Sequence, residues 1–287
     1  MARVELTETP SMRALFARAA VTARGRGGDL PDTRLARTGV PVDPAELAAY
    51  DRVCGFPLAD ALPPTYPHVL AFPLQLALMS DRSFPLALPG LVHVRNRVDA
   101  LRAVRTDEVL DLEVWAERFA RHPRGATVDL CASVSAGGAE VWRSRSTYLA
   151  RGATAPEGAP GSDLSVSVGD LERSVATWRV PEDAGRRYAR VSGDVNPIHL
   201  SGLTAKAFGF KRAIAHGMWV EARPLATLSG RLPDAMAVDV VFKKPLLLPS
   251  TVTLSTARAD GGWDLAVRNA TTGADHLLGT VRPLQSA

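Results

Sequence analysis

Apolar positions along this chain fall into two regimes, and each regime occurs twice. Leu70, Leu74, Leu76 and Met79 follow a helical spacing through a stretch that contains Pro73, and Met218, Val220, Ala222, Leu225, Ala226 and Leu228 do so through one that contains Pro224. Both patterns predict buried helices. Behind the first, residues 92–98, 109–114, 127–130 and 140–148 include apolar/polar alternation broken by turn signals such as Gly137-Gly138, which predicts antiparallel strands. Residues 238–242, 251–254, 263–267 and 277–281 read the same way behind the second. Further helices are predicted over 45–54 and 181–191. Helix first and strands after, twice over, predicts an α+β chain in which each half wraps an antiparallel sheet around a central helix.

The repetition extends to single residues. Tyr50-x-x-Val53-Cys54-Gly55 matches Tyr188-x-x-Val191-Ser192-Gly193, and Pro73-Leu74 matches Pro224-Leu225. A proline costs a helical hydrogen bond, so its recurrence inside both apolar helices is a specific sign of duplication. The expected division is a basic arm over 1–38, a first domain over 39–150, a Gly/Pro/Ala/Ser-rich linker over 151–166 and a second domain over 167–287. The arm carries Arg3, Arg13, Arg18, Arg24, Arg26, Arg34 and Arg37 around the short amphipathic piece 12–17, and is expected to lie on the surface.

Composition narrows the function classes. The chain has 287 residues, 46% hydrophobic and 22% charged, a length that suits two cores and a balance that gives no case for disorder. The apolar stretch 69–79 is too short to span a bilayer, and residues 1–30 lack the apolar run of a signal peptide. The net charge of +4 is small and dispersed, which argues against nucleic acid and suits a phosphate-bearing carrier. Cys54 and Cys131 lack metal-ligand spacing, and two thiols in such a chain fit a reducing cytoplasm. His68, His93, His122 and His276 have no acidic or thiol neighbours at ligand spacing, so no metal site is expected. A phosphate-cradling glycine loop and a Gly-x-Ser-x-Gly elbow are both absent from the sequence, which removes the nucleotide-dependent oxidoreductase and the ordinary α/β-hydrolase.

The chemistry is concentrated in one stretch. Gly193-Asp194 and Asn196-Pro197 are turn residues, Asn196 is placed to cap a helix and Pro197 suits its first position. His199 then falls in the first helical turn, where a positive charge is disfavoured, so its imidazole is expected neutral. Asp194 and His199 could hold one water between them. Ala215-His216-Gly217-Met218 opens the second apolar helix, so the Gly217 N–H lies among the unpaired donors of a buried helix start and can hold a developing oxyanion. His216 is expected to be a structural residue at that start.

Tyr188-x-x-x-Ser192-Gly193-Asp194-x-Asn196-Pro197-Ile198-His199, then Ala205-x-x-x-Gly209-Phe210, then Ala215-His216-Gly217-Met218 resembles the signature of the MaoC-like, hydratase 2 family, closely over about residues 180–230. The layout of the whole chain is similar to the two-hot-dog (3R)-hydroxyacyl-thioester dehydratases of actinobacteria. The resemblance implies a double hot-dog fold and reversible hydration of a trans-2-enoyl thioester on coenzyme A or an acyl carrier protein, without a cofactor. It implies Asp194 and His199 as the catalytic pair, with Asp194 favoured as base, Gly217 as oxyanion donor and Asn196 bracing the loop. A serine that supports the pair in some relatives is Leu225 here, which puts that one hydrogen bond in doubt. From Gly55 to Pro73 is 18 positions against 31 from Gly193 to Pro224, and Phe56 stands where Asp194 would be. The first half is therefore expected to shape an acyl tunnel and do no chemistry. An acyl-thioesterase, a non-catalytic carrier-binding subunit and a homodimer remain open on the sequence.

Overall fold

A computed structural model of the chain describes residues 2–171 and 173–284. It divides into two compact units: Met1–Val42, Pro67–Asn96 and Asp107–Leu164 form unit 1, and Asp43–Tyr66, Arg97–Thr106 and Ser165–Ala287 form unit 2.

In unit 1 the strands β1 (Ala2–Glu5), β2 (Thr33–Pro41), β4 (Val109–His122), β5 (Gly125–Ala136) and β6 (Ala139–Arg151), with the part of β3 (Leu91–Ala100) up to Asn96, stand in the order β1-β2-β4-β5-β6-β3. The hairpins β4-β5 and β5-β6 are antiparallel, Leu112 opposite Val134 and Val128 opposite Tyr148. Leu76, Leu78 and Met79 of α3 (Tyr66–Ser80) join Val128 and Leu130 of β5 in one buried cluster, the helix-on-sheet layer that the two periodicities predict. His68 and Gln75 are buried in α3, and the His93 ring stacks at 4.7 Å on that of Tyr148.

The segment expected as a surface arm is built into this unit. It supplies β1, α1 (Met12–Val21) and β2, with Leu15 and Ala19 buried in the same cluster. Its arginines explain why. Arg26 donates to the carbonyls of Met79, Ser80 and Phe84 at 2.9–3.1 Å, where the last turn of α3 leaves acceptors without helical partners, and Arg3 pairs with Glu113 at 2.6 Å. A basic run reads as a solvated arm only while the acceptors for its donors are out of view.

Unit 2 is an antiparallel sheet in the order β8-β11-β10-β9-β7, from β7 (Ser174–Val180), β8 (Met236–Phe242), β9 (Ser250–Ala259), β10 (Gly262–Asn269) and β11 (Asp275–Pro283). The helix α7 (Gly217–Thr227) buries Ala222 and Leu225 completely, as Val238, Val240 and Leu277 of the sheet are buried. Strand β7 was not legible in the sequence, where its one buried position, Val180, ends a run of half-buried and exposed residues.

The helix predicted at the start of the first repeat is also in unit 2. α2 (Pro44–Cys54) is capped at its start by the Asp43 carboxylate and at its end by Gly55, left-handed at φ 83°. Its last carbonyls are held from α7: Trp219 Nε1 donates to Val53 O at 3.1 Å and Arg223 to Cys54 O at 2.9 Å. A Cβ on Gly55 would overlap the Arg223 guanidinium, so a glycine is required there twice over. α2 packs on α4 (Ala184–Ser192), its counterpart in the second repeat, with the equivalent rings of Tyr50 and Tyr188 6.1 Å apart. Sequence repeat and compact unit are thus different divisions of this chain.

Candidate active site

The site is assembled from the end of α4 outward. Gly193, at φ 72°, terminates that helix, and its N–H donates to Ala189 O. The chain then folds back on itself through three short hydrogen bonds: Asp194 N–H to Ser192 Oγ at 3.2 Å, Asn196 N–H to Asp194 Oδ1 at 3.1 Å, and Ile198 N–H to Asn196 Oδ1 at 3.3 Å. The last of these caps α5 (Pro197–Leu200), with Pro197 at its first position as the sequence predicts. Asn196 thus takes part in two of these bonds, as donor and as acceptor, and His199 lies in the first turn of α5.

His199 is buried, and its Nδ1 is 2.8 Å from Ile214 O, so that nitrogen carries the proton and Nε2 presents its lone pair. Burial pushes its pKa down to about 3, reinforced by His216 and opposed by Asp194 and the Ile214 carbonyl. The imidazole is neutral, as its position predicts. Asp194 keeps 22% side-chain exposure, and desolvation raises its pKa above the ordinary carboxylate value against the pull of His199 and the Asn196 N–H.

Sequence reasoning gave His216 a structural part and missed its place in the site. Its ring lies on that of His199 with centroids 3.6 Å apart, and the Tyr188 ring tilts against it at 4.9 Å. Nε2 is 3.0 Å from the backbone oxygen of Asp194 and 3.7 Å from its Oδ2, while Nδ1 is buried without a partner among the described residues. Burial lowers its pKa to about 4. Asp194, His199 and His216 bring one polar atom each within 4.8 Å of one another. The only hint in the sequence was that His216 directly precedes Gly217, the expected oxyanion donor.

Gly217 is the first residue of α7, so its N–H has no helical acceptor, and no other acceptor stands against it among the described residues. A Cβ on it would press to 3.1–3.3 Å on the Phe242 ring. A second glycine, Gly185, was not singled out in the sequence. A Cβ there would overlap the carbonyl oxygen of His199, so α4 approaches the turn that carries His199 backbone to backbone.

Two imidazoles and a carboxylate are a ligand set that suits a transition metal, but their arrangement opposes it. The planes of His199 and His216 are 26° apart in a face-to-face stack. Lone pairs of stacked rings run side by side, whereas a shared ion needs both to converge on it at about 2.1 Å. In the first repeat the corresponding Phe56 stacks on Tyr50 at 6.4 Å between ring centroids and offers no proton carrier. No helix among the described residues is long and apolar enough to cross a membrane.

Comparison with known proteins bears on the whole chain. A model of the MaoC like domain matches residues 162–276. The 3-hydroxyacyl-thioester dehydratase X of Mycobacterium tuberculosis is 39% identical over 259 residues, covering 90% of this chain and 92% of that protein. The crystal structure of HtdX from the same organism matches with a TM-score of 0.78 at 37% identity, over 88% of this chain and 100% of that one. Another protein of that organism, described as a double hot-dog fold, matches at TM-score 0.51 and 15% identity over 90% of this chain and 95% of its own, a likeness of fold alone. The expected α+β double hot-dog is the fold of this chain.

Proposed function

Since this chain belongs to the MaoC-like dehydratase family, we propose that its hydro-lyase activity interconverts a (3R)-hydroxyacyl thioester and the trans-2-enoyl thioester plus water. The observation that carries the reading is the convergence of a carboxylate of raised pKa and a neutral imidazole on one capped turn, beside a helix-start N–H without an acceptor.

In hydration, the Asp194 carboxylate and His199 Nε2 both accept hydrogen bonds from one water, and the Gly217 N–H points its dipole at the thioester carbonyl. As the water oxygen bonds to C3, the C2–C3 π electrons shift and the carbonyl oxygen gains negative charge, which the amide stabilises. The released proton passes to the pair, with Asp194 as the base, and the pair returns one proton to C2. The net change is one water added across the double bond with both residues restored. Dehydration is the same path reversed. Because both groups act from one side of the acyl chain, addition is to a single face and gives one 3-hydroxy enantiomer, for which the (3R) hand is what the family resemblance implies. Cys54 and Cys131 are buried free thiols, which fits work in a reducing cytoplasm.

The test is hydration of crotonyl thioester, followed by loss of the enoyl absorbance and by chiral analysis of the product. Asp194→Asn and His199→Gln are each expected to lower kcat by about 10²-fold or more with the fold retained. Near-normal turnover in either variant would remove the assignment, and release of free thiol without a 3-hydroxy product would make the protein a thioesterase instead.

A further inference from the structure

Lysine is confined to one part of this chain. The 34 basic residues include only four lysines, Lys206, Lys211, Lys243 and Lys244, and all are exposed. They lie on two stretches of unit 2 that contain no acid: none occurs between Asp194 and Glu221, and none between Asp239 and Asp260. These stretches are hydrogen-bonded to each other, Ala215 N–H to Leu246 O at 2.9 Å and Leu248 N–H to Ala213 O at 2.8 Å, with Ile214 bridged antiparallel to Leu247. The pairing puts Lys211 and Arg212 at one end, where Arg212 donates to Pro249 O, and Lys243 and Lys244 at the end towards His216 and Gly217. Lys206 closes α6 (Gly202–Lys206), directly after the helix of His199.

These five cations have no carboxylate partner among the described residues, whereas Arg268 of unit 2 pairs with Asp275 at 2.9 Å and Arg282 with Asp264. In the same short helix as Lys206, Leu203 is 81% exposed. We propose that this face docks an acidic carrier protein that presents the acyl thioester to Asp194 and His199, an inference that rests on the hydratase reading above. Compact phosphate recognition uses forked arginines or a cradle of backbone N–H groups. Here four of five charges are hydrated ammonium groups on flexible stems, spread over two stretches around an apolar residue. That pattern suits a broad, oppositely charged protein surface and speeds its approach.

The test compares the full-length protein with the triple variant Lys206→Glu/Lys243→Glu/Lys244→Glu on crotonyl-acyl carrier protein, crotonyl-coenzyme A and the uncharged crotonyl-N-acetylcysteamine. Binding of fluorescently labelled holo-acyl carrier protein is measured in parallel. Expected are a loss of about 10-fold or more in kcat/KM on the carrier-protein thioester and in carrier affinity, with turnover of the N-acetylcysteamine thioester unchanged. Equal loss on the coenzyme A thioester would overturn the proposal in favour of a small-phosphate site, and unchanged carrier binding would overturn it outright. If the unsubstituted protein turned over none of the thioesters, the hydratase reading would fail, and the binding arm would still decide the surface.

Discussion

The ring of His216 lies on the ring of His199, 3.6 Å between centroids, while its Nε2–H holds the backbone oxygen of Asp194. One buried side chain therefore touches both members of the proposed catalytic pair. Its contacts with Asp194 and His199 run through a backbone oxygen and a ring face, which makes it a positioning residue. Replacing His216 by Phe keeps a stacking ring and removes the hydrogen bond. The expected result is a fall in kcat of about 10- to 10²-fold with a smaller change in KM, since an ångström of misplacement costs on that order. Steady-state kinetics beside near-ultraviolet circular dichroism checks it; an unchanged kcat in a folded variant would return His216 to a purely structural part.

The pH dependence of hydration follows from the two opposite shifts in the pair. Asp194 must be ionised to accept a proton, and its pKa is raised, so kcat/KM falls with decreasing pH through an acid limb that lies above the ordinary carboxylate range. His199 titrates at about 3 and His216 at about 4, so neither gives an inflection near 6.5. A profile from pH 4 to 9 reads both statements. An inflection near 6.5 that vanished in His199→Gln would mean that the imidazole works as a cation.

Gly185 joins helix packing to catalysis. A methyl group there overlaps the His199 carbonyl oxygen, backbone against backbone, with no flexible side chain to move aside. Gly185→Ala is expected to destabilise the fold by about 1–3 kcal/mol and to lower kcat through displacement of α5. Chemical denaturation and turnover measured on the same preparation would show the two losses together. A loss of stability with full kcat would show that α4 moves instead of the catalytic turn.

Asp51 offers a test remote from the chemistry. It is buried in α2, burial raises its pKa to about 6, and its Oδ1 has no hydrogen-bond partner among the described residues. The folded chain keeps this proton up to about pH 6 while the unfolded chain releases it near 3.8, so the group's contribution to stability is lost as pH rises through that window. Asp51→Asn removes the titration. The Tm of the variant relative to the parent should therefore rise from pH 4 to pH 7, and a difference that stayed flat would show that Asp51 titrates normally.

The sequence determined whatever depends on near neighbours. Asp194, Asn196 and His199 are joined by hydrogen bonds spanning two or three residues, so turn, cap and first helical turn were legible from spacing alone, as was the periodicity of α3, α7 and strands β3–β6 and β8–β11. The paired prolines and the tyrosine-to-glycine match exposed the duplication for the same reason. Tertiary structure decided what depends on contacts distant in sequence. His216 reaches His199 because Ile214 N–H is bonded to Ile198 O and the following residues pair with β8's trailing loop at Leu246. α2 settles on α4 because Trp219 and Arg223 supply donors to its terminal carbonyls from 166 and 169 positions away. The basic arm becomes strand, helix and strand because Arg26 finds the end of α3. A polar side chain announces its donors in the sequence, but the acceptors that use them are chosen only when the backbone folds.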